Sequence, residues 1–379
     1  MSRLDYTSDL RLSRRRMLGL ALSAGAGVGA AAALWPPRGF GKSILSLIGP
    51  VGAEPYQRTI ACMGTFVSIA VHDHNGECYS EAVDEALAEV RAVDALMSTF
   101  RPESEISSVN RAAGRESVRI DPRVAEVLRA ARRMGEHSDG TFDVTVLPLL
   151  RTFGLRGGTP GEEPRRPSLR ELRIARAQVD YRAIDVDPAR PVAGLELSGA
   201  EVDLGGIAKG YAVDRAAEVL HARGVRQAVI NAGGDLRVTG APGRGDDDGW
   251  RVGVQDPLHP GRILATLELR DQAIATSGNY EQFIDVGEER LGHLIDPKSG
   301  RPATPMLSAT VVAPTAMQAD AASTTAFLMG SERGARFVRE TEGAESLFSV
   351  NADGISGSTT EVVVRASSGI TGLTKNTAG

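Results

Sequence analysis

Over residues 192–224 the hydrophobic rhythm of the chain changes once. VAGLELSGAEV alternates apolar and polar side chains, as a half-buried strand does; YAVDRAAEVLHARG spaces them for one face of a helix closed by Gly224. The joint, DLGGIAKGYAVD, runs from Asp203 to Asp214 and holds Gly205, Gly206 and Lys209. A strand-to-helix turn of this kind aims backbone N–H groups and the positive end of a helix dipole at one place, where an anion is stabilised. A glycine pair also serves simply to let the backbone turn. The joint matches neither GxGxxG nor GxxxxGK[ST], so the two standard nucleotide fingerprints do not apply. By itself it leaves phosphate binding, metal binding and a bare change of direction open.

The rest of the chain narrows the choice. A net charge of −5, with basic residues scattered apart from Arg14–Arg16 and the 165–176 region, weighs against a nucleic-acid partner. Two cysteines, Cys62 and Cys78, are too few for a zinc site or a disulfide framework, and a bridge between them is not expected. Near the start, Ser13-Arg14-Arg15-Arg16-Met17-Leu18 precedes a Gly/Ala-rich apolar run over 18–34. That pattern is a twin-arginine export signal. The expectation is a periplasmic protein, its signal cleaved near Ala33 or Ala53 or else kept as an anchor. Residues 1–53 are then signal and linker, 54–365 one compact catalytic unit, and 366–379 a disordered tail.

Within that unit, residues 59–71 read as a strand pair or one long strand. Residues 81–97 are an amphipathic helix, and Asp121-Pro122 opens another with the acid as N-cap and proline at N1. Residues 157–167 are a Gly/Pro/charge-rich loop. AVINAGGDLRVTG reads as a strand with a Gly-Gly break; WRVGVQDP, ILATLELR and AIATSG are short strands, and 316–330 and 332–340 are helices. The mixture gives an α+β or α/β class, with α+β preferred.

Two further stretches carry chemistry. In QADAASTTAF a helical spacing stacks Asp320, Ser323 and Thr324 on one face, a set of hard oxygens suited to Mg²⁺, although Asp320 could instead be an N-cap. In GHLIDPKSGRPA, His293 is either a general base or a structural histidine. There is no G-x-S-x-G elbow and no HExxH, so hydrolase and zinc-peptidase readings lose their usual support.

Eight segments in order, MGTFVSIAV, DALMSTFRPESEISSVN, GTFDVTVLPLLRTFG, DLGGIAKGYAVD, VINAGGDL, ATSGNYEQF, GHLIDPKSGRPA and QADAASTTAF, resemble the ApbE-type FAD:protein FMN transferases over residues 59–364. The resemblance implies a T-fold-related α+β unit that splits FAD with Mg²⁺, joins FMN to a Thr or Ser of a partner protein and releases AMP. It implies metal contacts from the Gly206 carbonyl, Asp320, Thr324 and Ser323. It implies FAD contacts from Met63, Phe100, Thr141, Phe142, Asp143, Asp203, Lys209 and Ile295, and a hydroxyl-activating role for His293. Two positions depart from the family: Phe100 stands where relatives often carry Tyr or Trp, and Ser323 replaces an acid found in some. The export style fits the branch serving nitrous oxide reductase maturation. An FAD pyrophosphatase and a non-catalytic FAD-binding protein are the alternatives, and the acceptor is expected to be an exported or membrane redox protein.

Overall fold

The computed structural model describes residues 55–72, 79–156, 165–187, 189–242, 249–259, 261–279, 283–286, 289–303, 306–351 and 362–375. The twin-arginine segment, Cys78 and most of the 157–167 loop lie outside them. The chain begins with β1 (Tyr56–Cys62) and β2 (Thr65–Val71), followed by α1 (Ser80–Met97), α2 (Glu105–Ala112), β3 (Val118–Arg119) and α3 (Pro122–His137). Next come α4 (Leu147–Thr152), α5 (Leu169–Arg176), β4 (Ile184–Val186), β5 (Val192–Leu195) and α6 (Ala208–Ala222). Strands β6 (Ala228–Ala232), β7 (Asp235–Thr239), β8 (Trp250–Gln255), β9 (Ile263–Leu269) and β10 (Ala273–Gly278) follow. After them come β11 (Phe283–Val286), β12 (Glu289–Gly292), β13 (Ile295–Asp296), β14 (Arg301–Pro302) and β15 (Ser308–Ala313). Helices α7 (Ala316–Met329) and α8 (Ser331–Glu340) precede β16 (Glu345–Asn351), β17 (Val362–Ala366) and β18 (Thr374–Lys375).

Eight strands form one sheet in the order β1-β2-β6-β7-β10-β15-β16-β17, every neighbour antiparallel. An antiparallel sheet with its helices gathered on one face is the α+β class, which settles the choice the sequence left open. The inner strands are buried on both faces, and their period of two sorts the side chains. In β6, Ala228, Ile230 and Ala232 face the helices, with Val229 on the other side; in β10, Ala273 and Ala275 face the helices, with Ile274 on the other side. The helical layer is built on α1, α6 and α7, and the opposite face is covered by the small sheet β18-β9-β8. Trp250 of β8 is fully buried there, its indole N–H donating to the carbonyls of Thr239 and Gly240.

Several local expectations are refined. Residues 59–71 are a strand pair whose two-residue turn, Met63-Gly64, has positive φ at both positions (55° and 69°), the twist a tight hairpin requires. The Gly-Gly of NAGGD does not interrupt a strand; Gly233 and Gly234, also at positive φ, are the turn of the β6–β7 hairpin. The strand before Asp203 is shorter than its alternation suggested: β5 stops at Leu195, and only a bridge from Glu201 to Val146 continues beyond the turn at 196–199. The tail expected to be disordered is instead ordered through 375. Ile370 and Leu373 pack against the apolar cluster around Trp250, and β18 pairs with β9, so short apolar residues outweigh the Ser/Thr/Gly composition.

Helices α6 and α7 cap each other. Asp214 of α6 accepts from the first two N–H groups of α7, Ala316 and Met317, both at 2.9 Å, and from Arg237 at 2.5 Å. Asp320 of α7 accepts from the N–H of Gly210, in the first turn of α6, at 3.1 Å. Burial pushes the Asp214 carboxyl above its ordinary range, and Arg237 and the two amides oppose that. This reciprocal arrangement satisfies orphan donors at two helix starts with charged acceptors. It also requires close approach: a Cβ on Gly210 would collide with the backbone of Ala316 and Met317. We expect Gly210→Ala to cost about 3 kcal/mol or more of stability, at the upper end of overpacking effects, read as a lowered midpoint in urea. A midpoint within error of the wild type would show that the helices can part without loss.

Candidate functional site

The site lies at one end of the large sheet, where turns from four elements converge. The Met63-Gly64 turn meets the Gly233-Gly234 turn, with the Gly233 N–H donating to the Phe66 carbonyl. Beside them are the start of β7, the last residues of β10 and the start of α6. Met63 holds a left-handed backbone, which glycine or asparagine would adopt at lower cost. An unfavourable backbone kept at a sheet end is an observation that points towards function.

Lys209 is the hub. Its ammonium donates to Asp235 Oδ2 at 2.5 Å and lies 3.4 Å from both oxygens of Asp320. Both acids are almost wholly buried. Burial works against charge on Lys209, and the two carboxylates overcome it and raise its pKa. Two acids sharing one ammonium leave a formal charge of −1. Next to it are three hydroxyls: Ser277 Oγ lies 2.9 Å from Ser323 Oγ and 3.2 Å from Thr324 Oγ1. A Cβ on Gly206 would sit 3.3 Å from Thr324 Oγ1 and 3.5 Å from the ring of Phe142, so glycine there lets the turn and α7 touch. The N-cap of α7 is Thr315, whose side chain accepts from Gln318, and Asp320 stands in the second turn. The N-cap reading of Asp320 therefore does not hold for its own helix.

Asp203 organises a second group. Its carboxylate accepts from Gly205 N–H at 2.8 Å, Thr99 Oγ1 at 3.1 Å and Arg156 Nε at 3.2 Å. The Arg156 guanidinium also lies 5.4 Å over the centroid of Phe100, whose ring is 58% exposed. Phe100 thus presents an open aromatic face beside the turn.

The turn at Thr141–Asp143 is buried. Asp143 accepts from the Thr145 amide and hydroxyl (2.8 and 2.6 Å) and from the Tyr181 amide (2.9 Å). Burial pushes its carboxyl up, and both its oxygens are engaged inside the protein, so Asp143 holds the turn together. Phe142 supplies the contact with Gly206. Ile295 packs into a separate apolar cluster with Leu147, Leu149, Leu150, Phe153 and Ala175. His293 sits half-buried at a bend between β12 and β13. Its segment is tied back to β10: a Cβ on Gly292 would collide with the amide of Asn279, which donates to the Ala303 carbonyl at 2.5 Å, and Ala303 N–H donates to Leu294.

The structure therefore brings Gly206, Lys209, Asp320, Ser323 and Thr324 into one cluster, with Phe142 against it. Asp203 and Phe100 form the adjoining group, Met63 lies at the same sheet end, and His293 and Ile295 follow on a neighbouring hairpin. Sequence reasoning missed Asp235, Ser277, Thr99 and Arg156. Thr99, Asp235 and Ser277 stood within quoted segments, but pairing across elements leaves no spacing signal.

The profile of the ApbE family matches residues 63–348. The chain belongs to the ApbE family. Among its relatives is a protein of Escherichia coli K12 named FAD:protein FMN transferase, 28% identical over 282 residues, which cover 73% of this chain and 79% of that one. A Vibrio cholerae protein of the same name is 31% identical over 288 residues, 74% and 84% of the two chains. Among solved structures, the ApbE protein of Thermotoga maritima superposes with a TM-score of 0.73 at 29% identity, covering 83% of this chain and 97% of that one. The Vibrio cholerae flavin transferase ApbE gives 0.70 at 29% identity, with 83% and 98% covered.

Among the described residues no group of three or more His, Cys, Asp or Glu side chains could hold a metal. What the cluster offers instead is two buried carboxylates, Asp235 and Asp320, that share the Lys209 ammonium, beside the hydroxyls of Ser277, Ser323 and Thr324. That donor set fits Mg²⁺, a hard ion that keeps several waters and is completed by substrate phosphates.

Proposed function

We propose that this chain is an exported, Mg²⁺-dependent FAD:protein FMN transferase. The observation that carries the reading is the meeting of Gly206, Lys209, Asp320 and Thr324 at the sheet end, in a member of a family whose relatives bear that name. Asp320, Thr324, the Gly206 carbonyl and the Ser323 hydroxyl would hold the ion. When bound, Mg²⁺ would neutralise charge on the pyrophosphate of FAD. The residues of the chain do the rest. Phe100 and Met63 receive the dinucleotide, and Arg156 holds Asp203 in place beside the turn. The hydroxyl oxygen of an acceptor Thr or Ser attacks the FMN phosphorus, its proton passing to His293. The bond from that phosphorus to the bridging oxygen breaks, and AMP departs with the bridging oxygen. Transfer of this kind depends mostly on positioning and electrostatics, which suits a ring of polar groups with no covalent triad.

The test is incubation with FAD and Mg²⁺, with and without an acceptor domain. The proposal expects FMN on the acceptor and AMP in equal amounts, and little AMP when no acceptor is present. Rapid FMN and AMP release without acceptor would make the protein a pyrophosphatase, and intact bound FAD would make it a carrier.

Export is part of the proposal and rests on the Arg14-Arg15 pair and the apolar run after it. No helix among the described residues is long and apolar enough to cross a membrane. Replacing both arginines with lysine should leave the precursor in the cytoplasm, because that pathway reads guanidinium groups. Fractionation that finds the double variant in the periplasm at the normal level would overturn it.

A further inference from the structure

Helix α5 turns an unusual surface outward. Its buried side, Leu172 and Ala175, packs with Leu149, Leu150 and Ile295, and the capping box of Ser168 and Glu171 fixes its start. The opposite side exposes Leu169 (72%) and Ile174 (54%), with Arg170, Arg173 and Arg176 between and beside them. None of these three arginines forms an ion pair among the described residues; the one acid of the helix, Glu171, is taken by Arg165 and the Ser168 amide. The patch continues onto the hairpin that follows His293. The Cδ of Arg176 lies 3.3 Å from where a Cβ on Gly300 would stand, and exposed Arg301 on that hairpin also has no acidic partner among the described residues.

Four guanidinium groups with no acidic partner among the described residues and two large exposed aliphatic side chains thus lie on this short helix and the hairpin beside it, on a protein whose net charge is −5. A solvated surface tends to intersperse charges of both signs and to expose few large aliphatic side chains. Clustered charge opposite to that of the whole molecule steers an oppositely charged partner, and the aliphatic pair adds apolar area for contact.

We propose that the outer face of α5, continued by Arg301, docks an acidic, apolar segment of the acceptor protein next to its target hydroxyl. This deepens the transferase reading and rests on it. The partner is recognised by carboxylates meeting the arginines, with an aliphatic side chain lying between Leu169 and Ile174. The face belongs to substrate choice and not to the chemistry, because none of α5 enters the Lys209–Asp320 cluster.

The test uses the mature chain, FAD and fluorescein-labelled peptides carrying a single threonine flanked either by Asp, Glu and Leu or by Lys and Leu. Wild-type protein should bind the acidic peptide at least tenfold more tightly than the basic one, and the preference should weaken as salt is raised. Arg170→Glu/Arg173→Glu/Arg176→Glu should bring the two peptides within about twofold of each other, and Leu169→Ser/Ile174→Ser should weaken both. FAD affinity, read by flavin fluorescence, should stay within twofold in each variant. Arg170→Ala/Arg173→Ala, the gentler pair, should give a partial loss if the triple variant fails to fold. A preference that survives charge reversal, or no preference in the wild type, overturns the proposal. So does wild-type co-sedimentation with phosphatidylglycerol vesicles, lost in the triple variant, without peptide discrimination; the face would then meet a membrane. Failure of the wild type to bind FAD would instead sink the transferase reading, whatever the peptides show.

Discussion

Asp320→Ala is expected to lower FMN transfer by at least a hundredfold, the largest effect of any single change at the cluster. Three losses coincide. The only carboxylate of the proposed ion site disappears, and the remaining neutral oxygens hold Mg²⁺ poorly. Lys209 keeps Asp235 alone, so the negative charge that attracts a cation is cancelled. Gly210 loses its acceptor at 3.1 Å, which leaves a buried backbone N–H unsatisfied at about 1–3 kcal/mol. Because the last loss concerns folding, alanine alone does not separate catalysis from capping. Asp320→Asn does: its amide oxygen can still accept from Gly210, while the charge is gone. The asparagine variant should keep a thermal midpoint near that of the wild type, yet require far more Mg²⁺ and turn over slowly even when saturated. Transfer rates measured against Mg²⁺ concentration, beside a melting curve, decide the matter. An asparagine variant as active as the wild type at low Mg²⁺ would make Asp320 a helix cap and nothing more.

The same residue shows what the sequence could and could not reveal. A helix over 316–330 with Asp320, Ser323 and Thr324 on one face followed from spacing, and so did the Asp121-Pro122 start of α3, because those signals are local. The turn at Gly205-Gly206 and the helix after it were legible for the same reason, whereas the strand before it ends earlier than the alternation suggested. Partners across elements were not. Asp214 looked like one end of a polar motif, but it caps the next helix in space, more than a hundred residues on. Asp235 and Ser277 complete the cluster only once β7 and β10 are neighbours in the sheet, and a sheet order with crossovers writes no pattern in the chain. The two glycine pairs mark the difference well. Gly233-Gly234 is a turn by conformation, at positive φ. Gly206 has an ordinary φ and owes its place to the approach of Thr324 and Phe142, which depends on packing. The tail was misjudged because composition cannot anticipate that Ile370 and Leu373 find a ready apolar surface under β9.

The second large effect is expected at His293, and it separates binding from chemistry. Its bend follows β12 on a hairpin apart from the Gly206 turn and from α7, held near β10 through the contact of Gly292 with Asn279. A group placed beside the cluster and outside it can meet the incoming hydroxyl without holding the pyrophosphate. Imidazoles titrate near neutral pH, which suits removal of a hydroxyl proton as the new phosphoester forms. His293→Asn should therefore leave FAD affinity within a few-fold and lower transfer by roughly 10²–10⁴, the usual range for loss of a general base. The sign of the pH dependence follows from the same role. In the wild type the rate should fall as pH drops and the imidazole becomes protonated; in the variant that acidic limb should vanish along with most of the rate. Replacing Lys209 or Asp203 should behave in the opposite way and weaken FAD binding, because in the proposed function each would border the dinucleotide before and during transfer. Flavin fluorescence titration, with a gel assay of FMN attached to an acceptor domain across pH, reads both quantities. A His293→Asn protein that cannot bind FAD, or that transfers at the wild-type rate with its acidic limb intact, would return this histidine to a structural role in the hairpin.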